Sequence, residues 1–474
     1  MPFGKQGRAA AVYIVLAGLQ RGMPLIILPF VSQVMEPAEF GAASMLTASA
    51  LLLVTIVAAP LDSLVFRVAA RGDEDGPALL RAAGLYCYVV MPCIGALVAA
   101  IFAVCVPSLL GVSGYIWGLE LLAIGFQPAM AYFALPVVQA RQELAKFTAM
   151  ASIAIILMAA TKLGLLLIWQ LGVLGWVISD LITAALSAVA ATLLVRLPRT
   201  KVTRDHLRSV WSFAAPLIPH KASLWAMASM SRPAMALVAS LTQVGLLSLG
   251  WSVASVANLI LSEINRAALP RYSRETFPAP TQQTLSVVRL QVILAFAIPT
   301  LVGSTLAIAG QWVFAESYWP AFSVAGVLLI GQAAYGLYLI PTNYQVQTAG
   351  MTKPVAFASS AGASLMLVLL LTLGHAHGAL GGAYAVAAGI LLMLLISACL
   401  TRVLRLHIAV RTWAGMWPEV ALAASGLTCS VWALMWPVGS MPSKIVGILC
   451  LAPTICAVLV SYRRAGVRHK LRKC

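Results

Sequence analysis

Long apolar runs separated by short polar ones dominate this chain. Runs of spanning length fall at 9–34, 40–70, 79–106, 116–139, 147–170, 172–195, 209–239 and 244–270, and then at 284–310, 320–348, 355–373, 378–402, 413–436 and 442–462. About 20 apolar residues in a helix cross the hydrocarbon of a bilayer, so each run is predicted to be one transmembrane helix. The expectation is an all-α membrane protein of about 14 transmembrane helices. The longest hydrophilic connections, 71–78, 196–208 and 271–283, are too short for a separate domain. Function must therefore reside among the helices.

The pattern also repeats. A shift of 204 residues lays Pro29 on Pro233, Gly41 on Gly245, Ser44 on Ser248 and Arg67 on Arg271, and a shift of 205 lays Gln127 on Gln332, Pro136 on Pro341 and Gln142 on Gln347. This register predicts two six-helix repeats, spans 1–6 and 7–12, plus two C-terminal helices. Six is even, so the copies share one orientation and are related by an axis along the membrane normal. Transporters built this way bind substrate between their halves and rock them. The implied divisions are 1–200, an N-terminal six-helix lobe; 201–411, a C-terminal six-helix lobe; 412–462, spans 13 and 14; and 463–474, a basic cytoplasmic tail.

Composition excludes an ordinary soluble globule: 61% of residues are hydrophobic, 9% are charged and the mean hydropathy is +0.94. A net charge of +17 on a soluble domain would suggest nucleic acid. Here the cations sit in loops instead, 26 of the 31 on the side of the termini, Lys444 alone on the other, and Arg21, Lys162, Lys221 and Arg232 within spans. The positive-inside rule puts both termini in the cytoplasm. The basic tail reads as a topology signal that also meets anionic membrane lipids. The N-terminal run extends to Val34 and contains Arg21, so it is read as a retained first span rather than a signal peptide. The eight cysteines include no CxxC and no zinc spacing, which predicts neither a disulfide framework nor a metal site. His375 and His377 flank Ala376 in a glycine-bounded turn without a third ligand. No nucleophile motif, phosphate-cradling loop or paired-carboxylate site is visible, so the expectation is a transporter without a cofactor.

Charges inside the spans carry the candidate chemistry, because a charge at mid-bilayer costs roughly 2.5–3.5 kcal/mol on insertion scales. Lys221 and Arg21 each lie about 18 Å from the basic end of their spans at 1.5 Å per residue. Lys221, Trp225, Ala228 and Arg232 share one helical face. Pro216 and Pro219 are expected to bend or break the seventh span just before the lysine. Arg21, Lys221 and Arg232 either pair with carboxylates in a helix interface or line an anion-binding cavity, for which phosphate suits Arg and Lys best. Lys162 and Asp180 stand nine residues either side of Leu171, level in a helical hairpin, and read as a structural ion pair. Glu263 lies three residues before Arg266, and Asp62 five before Arg67; each acid is either a local partner or a site for a coupling proton or sodium ion. Glu120 opens span 4, where the helix dipole favours a carboxylate, and is read as structural. Gln332, Tyr335 and Asn343 belong to a polar run ending in PTNYQ that either binds sugar hydroxyls or ties helices together.

The residues SFAAPLIPHKASLWAMASMSR (212–232), VGLLSLGWSVASVANLI (244–260) and NRAALPRY (265–272) resemble the Wzx-type polysaccharide flippases, within the multidrug/oligosaccharidyl-lipid/polysaccharide exporter superfamily. The resemblance implies that undecaprenyl-pyrophosphate-linked repeat units of an exopolysaccharide, capsule or O-antigen (lipopolysaccharide) are moved across the bacterial inner membrane by ion-coupled alternating access. It implies a pyrophosphate site at Arg21, Lys221, Arg232 and Arg266, and a lipid-tail groove beside spans 13 and 14. The polysaccharide polymerase and chain-length regulator would be partners. Many relatives carry an Asp before the arginine of the seventh span, where this chain has Ser231.

Three rival readings stand beside this one. A multidrug exporter of the same superfamily should show an acidic cavity, against the excess of cations here. A polymerase or ligase needs a substantial outer loop, which the chain lacks. A lipid II flippase is compatible with helix count and charge.

Overall fold

The computed structural model describes residues 5–58, 60–71, 74–215, 218–274, 282–404 and 416–470. They divide into two compact units, Met1–Ala236 and Leu237–Cys474. The packing boundary falls after Ala236, so the seventh span packs with the first six. The duplication register had placed its boundary at 200/201.

The first unit contains α1 (Lys5–Val34), α2 (Pro37–Val57), α3 (Leu61–Arg71), α4 (Gly76–Cys105), α5 (Gly114–Ala140), α6 (Leu144–Ile168) and α7 (Gly172–Leu194). α8 (Arg204–Ala214), α9 (Ile218–Ser229) and α10 (Ser231–Ala236) complete it. Span 2, expected as one helix over 40–70, is two. α2 opens with Pro37 in its first turn and a reciprocal cap between Glu36 and Glu39. It ends before Pro60, which has no N–H to continue the ladder. α3 then buries Leu61, Leu64, Val65 and Val68 at helical spacing, an amphipathic element rather than the end of a lipid-facing one.

A two-residue hairpin, Ser108–Leu109 paired with Val112–Ser113, joins α4 to α5. Its central residues Leu110 and Gly111 both have positive φ, 53° and 77°, as a twisted two-residue turn requires. α4 and α5 then approach at backbone distance. A Cβ added at Gly95 would stand 2.8 Å from the Cα of Gly125. Single π turns interrupt the helices at Tyr86–Val90, Ala129–Ala134, Gly164–Ile168 and Tyr344–Thr348. Three of these adjoin Pro92, Pro128 with Pro136, and Pro341, whose missing donors leave the ladder out of step. The core of this unit includes Leu64, Val65, Phe133, Met150, Val210 and Ala214, so α8 is packed into it.

The second unit contains α11 (Leu241–Ser273), α12 (Gln282–Val313), α13 (Ala321–Thr348), α14 (Lys353–Val403), α15 (Trp417–Met435), α16 (Met441–Leu449) and α17 (Leu451–Lys470). α14 is broken at Gly378, with φ 58° and ψ −138°, a conformation that glycine adopts without the Cβ clash. The break is held by the side chain of Gln243, whose Oε1 accepts from the Ala379 N–H at 2.7 Å. Among the described residues, eleven helices are long and apolar enough to cross a membrane, with Lys353–Val403 counted once. The molecule is an all-α, multi-pass membrane protein.

Candidate functional site

The seventh span is discontinuous. Its described helices are α8 to Ala214, α9 from Ile218 and, after a break at Met230, α10; Pro216, where a bend was expected, lies outside the described residues. Pro233 cannot donate to the carbonyl four residues back, which accounts for the break at Met230. The face expected to align Lys221 with Arg232 is therefore divided between α9 and α10.

Lys221 is paired. Its Nζ lies 3.0 Å from Oδ2 of Asp62 on α3, and the two side chains are 26% and 32% exposed. The other carboxylate oxygen of Asp62 accepts from the N–H and the hydroxyl of Ser63. Four residues on, Trp225 donates its indole N–H to the Ala48 carbonyl of α2 at 2.8 Å, locking α9 against the first unit. Of the two readings left open for Lys221, pairing with a carboxylate or lining an anion cavity, the structure shows the pairing, and its partner is Asp62, itself a candidate for a local pair with Arg67 or for a coupling ion. Tyr132 of α5 stands close enough to Asp62 to feel its charge. Arg232 on α10 has its Nε buried without a hydrogen-bond partner among the described residues, and Ser231 before it is buried. Arg21 lies on α1, but its side chain is outside the described residues.

A second charged group occupies the α6–α7 hairpin. Lys162 Nζ is 3.0 Å from Asp180 Oδ1, and sits 3.3 Å above the ring of Trp176. The turn runs through Gln170 and Gly172, both at positive φ, 50° and 52°. Glu120 does not sit at a helix end. α5 begins at Gly114, which makes Glu120 its seventh residue, 2% exposed and within the fields of Asp180 and Lys162. No sequence signal tied Glu120 to the hairpin.

In the second unit the candidates form local pairs and a neutral network. Arg266 holds Glu263 in two hydrogen bonds, 2.9 and 3.1 Å, with both side chains exposed. Gln332, 1% exposed, accepts from the amide of Asn258 at 3.0 Å. Tyr335 is hydrogen-bonded to Ser262 and leans on Tyr338. Asn343 and Gln291 both donate to Oδ1 of Asn265, at 2.6 and 3.0 Å, and Tyr272 donates to Gln291. These bonds tie α11, α12 and α13 together. Among the described residues no group of three or more His, Cys, Asp or Glu could hold a metal ion.

Residues 7–275, more than half of the 474, match the family described as polysaccharide biosynthesis protein. The chain belongs to that family. The match includes Lys221, Arg232 and Asp62, and extends through Arg266. No curated protein matches the chain in sequence. Among solved structures, the lipid II flippase MurJ in an inward closed conformation superposes with a TM-score of 0.69 at 11% identity, covering 96% of this chain and 99% of that one. An inward-facing MATE-family multidrug resistance transporter of the MOP superfamily gives 0.58 at 11% identity, with 81% and 94% covered. At such identities the likeness establishes the fold, which this member of the polysaccharide biosynthesis family shares with both.

Proposed function

We propose that the protein is a flippase that moves a polyprenyl-phosphate-linked saccharide between membrane leaflets, with the repeat unit of an exopolysaccharide, capsule or O-antigen as cargo. The observation that carries the reading is the family match over 7–275, which includes the broken span with its two cations. The physical requirement is consistent with it. The lipid tail stays in hydrocarbon while the polar head crosses past groups that replace water, and phosphate needs Arg or Lys rather than a catalytic residue.

In this reading the cargo phosphate competes with Asp62 for Lys221. A pair that is about a quarter to a third exposed is weak enough to exchange partners, and Arg232 supplies a second donor one helical segment away. Arg21 is the third cation of the set. Gln332, Tyr335 and Asn343 act chiefly as ties between helices, because their described hydrogen bonds run to Asn258, Ser262 and Asn265. Arg266 with Glu263 is a local pair at one end of α11. We read fourteen crossings in all. This rests on the eleven spans, the doubling of α14 at Gly378, α1, and the discontinuous α8–α10 segment. Both termini are placed in the cytoplasm, on the weight of 26 of 31 basic residues.

The near-complete coverage of the lipid II flippase supports a second reading, lipid II as cargo. Both cargoes share a polyprenyl pyrophosphate and differ in the sugar. One experiment separates them: the lipid-linked intermediates of a deletion strain, assigned to inner or outer leaflet by accessibility. Complete polysaccharide repeat units held facing the cytoplasm are the expected result. Held lipid II would replace the cargo, and an unchanged pool of both would end the flippase reading.

A further inference from the structure

Buried charge within the first unit does not balance. Glu120 on α5, Lys162 on α6 and Asp180 on α7 form one cluster, with two carboxylates for one ammonium. Lys162 serves Asp180 Oδ1 at 3.0 Å and is held from the other side by the Trp176 ring. Glu120 has no ammonium of its own. Thr47 on α2 is its hydrogen-bonding neighbour, and Thr47 in turn accepts the Trp176 indole N–H at 3.1 Å. Oε2 of Glu120 and Oδ2 of Asp180 are both buried without a hydrogen-bond partner among the described residues. Glu120 is 2% exposed.

An uncompensated carboxylate in such a place is costly, and buried groups in this position take up a proton rather than remain charged. We propose that Glu120 is a proton-binding site, with the Lys162–Asp180 pair as the element that senses whether the proton is present. A metal ion suits the site less well, because the ammonium of Lys162 already occupies the carboxylate that would ligate it. Among the described residues, Asp180 and Lys162 are the charged groups whose fields reach Glu120. α4 meets α5 through Gly95 and Ala99, and α2 brings the hydroxyl of Thr47.

The step is a simple protonation, carboxylate plus one proton giving the neutral acid. With the proton bound, Lys162 belongs to Asp180 alone. When it leaves, a second carboxylate competes for the same ammonium, and the hold of α6 on α7 changes. The nearby hydroxyls are placed to follow such a change: Thr161 lies 2.7 Å from Ser179 and 3.2 Å from Thr183 across the same two helices. The use of the proton in transport rests on the flippase reading; the proton site does not.

The test is infrared difference spectroscopy of the full chain in lipid nanodiscs, scanned over pH in H2O and D2O. The expected result is a carboxylic-acid C=O band that titrates, shifts in D2O, and is lost in Glu120→Gln, an isosteric change that keeps an acceptor for Thr47. Asp180→Asn and Lys162→Gln should each keep the band and move its midpoint by about one pH unit, since each removes a neighbouring charge. A band that persists in Glu120→Gln, or that never titrates, would overturn the site. If Glu120→Gln does not fold, the two neighbour variants decide, and an unmoved midpoint in both would also overturn it. A titrating Glu120 in a chain that moves no lipid-linked saccharide would uphold the site and sink only its use in transport.

Discussion

The described polar contacts between helices differ in kind between the two units. In the first they are ion pairs, Asp62 with Lys221 and Asp180 with Lys162, and the buried Nε of Arg232 has no hydrogen-bond partner among the described residues. In the second, the described side-chain bonds between helices join neutral amides and hydroxyls: Asn258 with Gln332, Asn265 with Gln291 and Asn343, and Gln345 with Ser397 and Thr401; a carboxylate, Glu419, is buried there as well. A neutral network satisfied by its own members has nothing to gain from a ligand. It fixes helix positions. Ion pairs respond to what enters, because a proton, a cation or a phosphate changes the partner that each charge prefers. In the flippase reading, the contrast points to the ion pairs of the first unit as the groups whose partners change.

The strongest way to break this comparison is to remove the cations of the first unit. Lys221→Ala, Arg232→Ala and Arg21→Ala are each expected to abolish polymer export while the protein stays inserted, measured as secreted polysaccharide against membrane-fraction immunoblots. Normal export by all three would end the cationic-site reading. Next in size, Lys162→Ala should cost about 3–5 kcal/mol by leaving Asp180 unpaired in a largely buried place. Lys162→Ala with Asp180→Ala should cost less than the single change, and thermal melting in detergent reads both. If that double variant is stable yet inactive, the pair has a transport role beyond structure.

In the second unit, Asn265→Leu strands the donors of Gln291 and Asn343. A loss of about 1–3 kcal/mol per stranded donor is expected, with export retained wherever the protein survives. A stable Asn265→Leu protein that fails to export would show that the network does more than hold helices. Gly378→Ala should cost about 1–2 kcal/mol for a positive φ, with a further clash because its Cβ would press on Gln243. The smallest effect is expected for Arg266→Ala, since an exposed pair of this kind contributes about 0–1 kcal/mol. Loss of export without loss of melting temperature there would extend the cargo site into the second unit.

How far these features could be read in advance depended on sequence distance. The Lys162–Asp180 pair was legible because a hairpin turn makes equal spacing from Leu171 into equal depth. The bend expected before Lys221 falls at Pro216, outside the described residues. The break at Met230, and the division of span 2 at Pro60, follow from the missing donor of proline but were masked by continuous hydrophobicity. The contact between Lys221 and Asp62 spans 159 residues and leaves no trace in local pattern. Glu120 was misread for a related reason. The start of a helix is a local expectation, whereas the neighbours of its seventh residue are not.

Hydropathy along the chain determines that this is a multi-pass helical protein, and the placement of arginine and lysine determines its expected orientation, because both are sums over local transfer energies. Whether a charged residue within a span is a ligand, a tie or a proton carrier is decided only by the helices that pack around it. The same lysine is a cation site beside an empty cavity and a salt bridge beside Asp62, and only tertiary packing chooses between them.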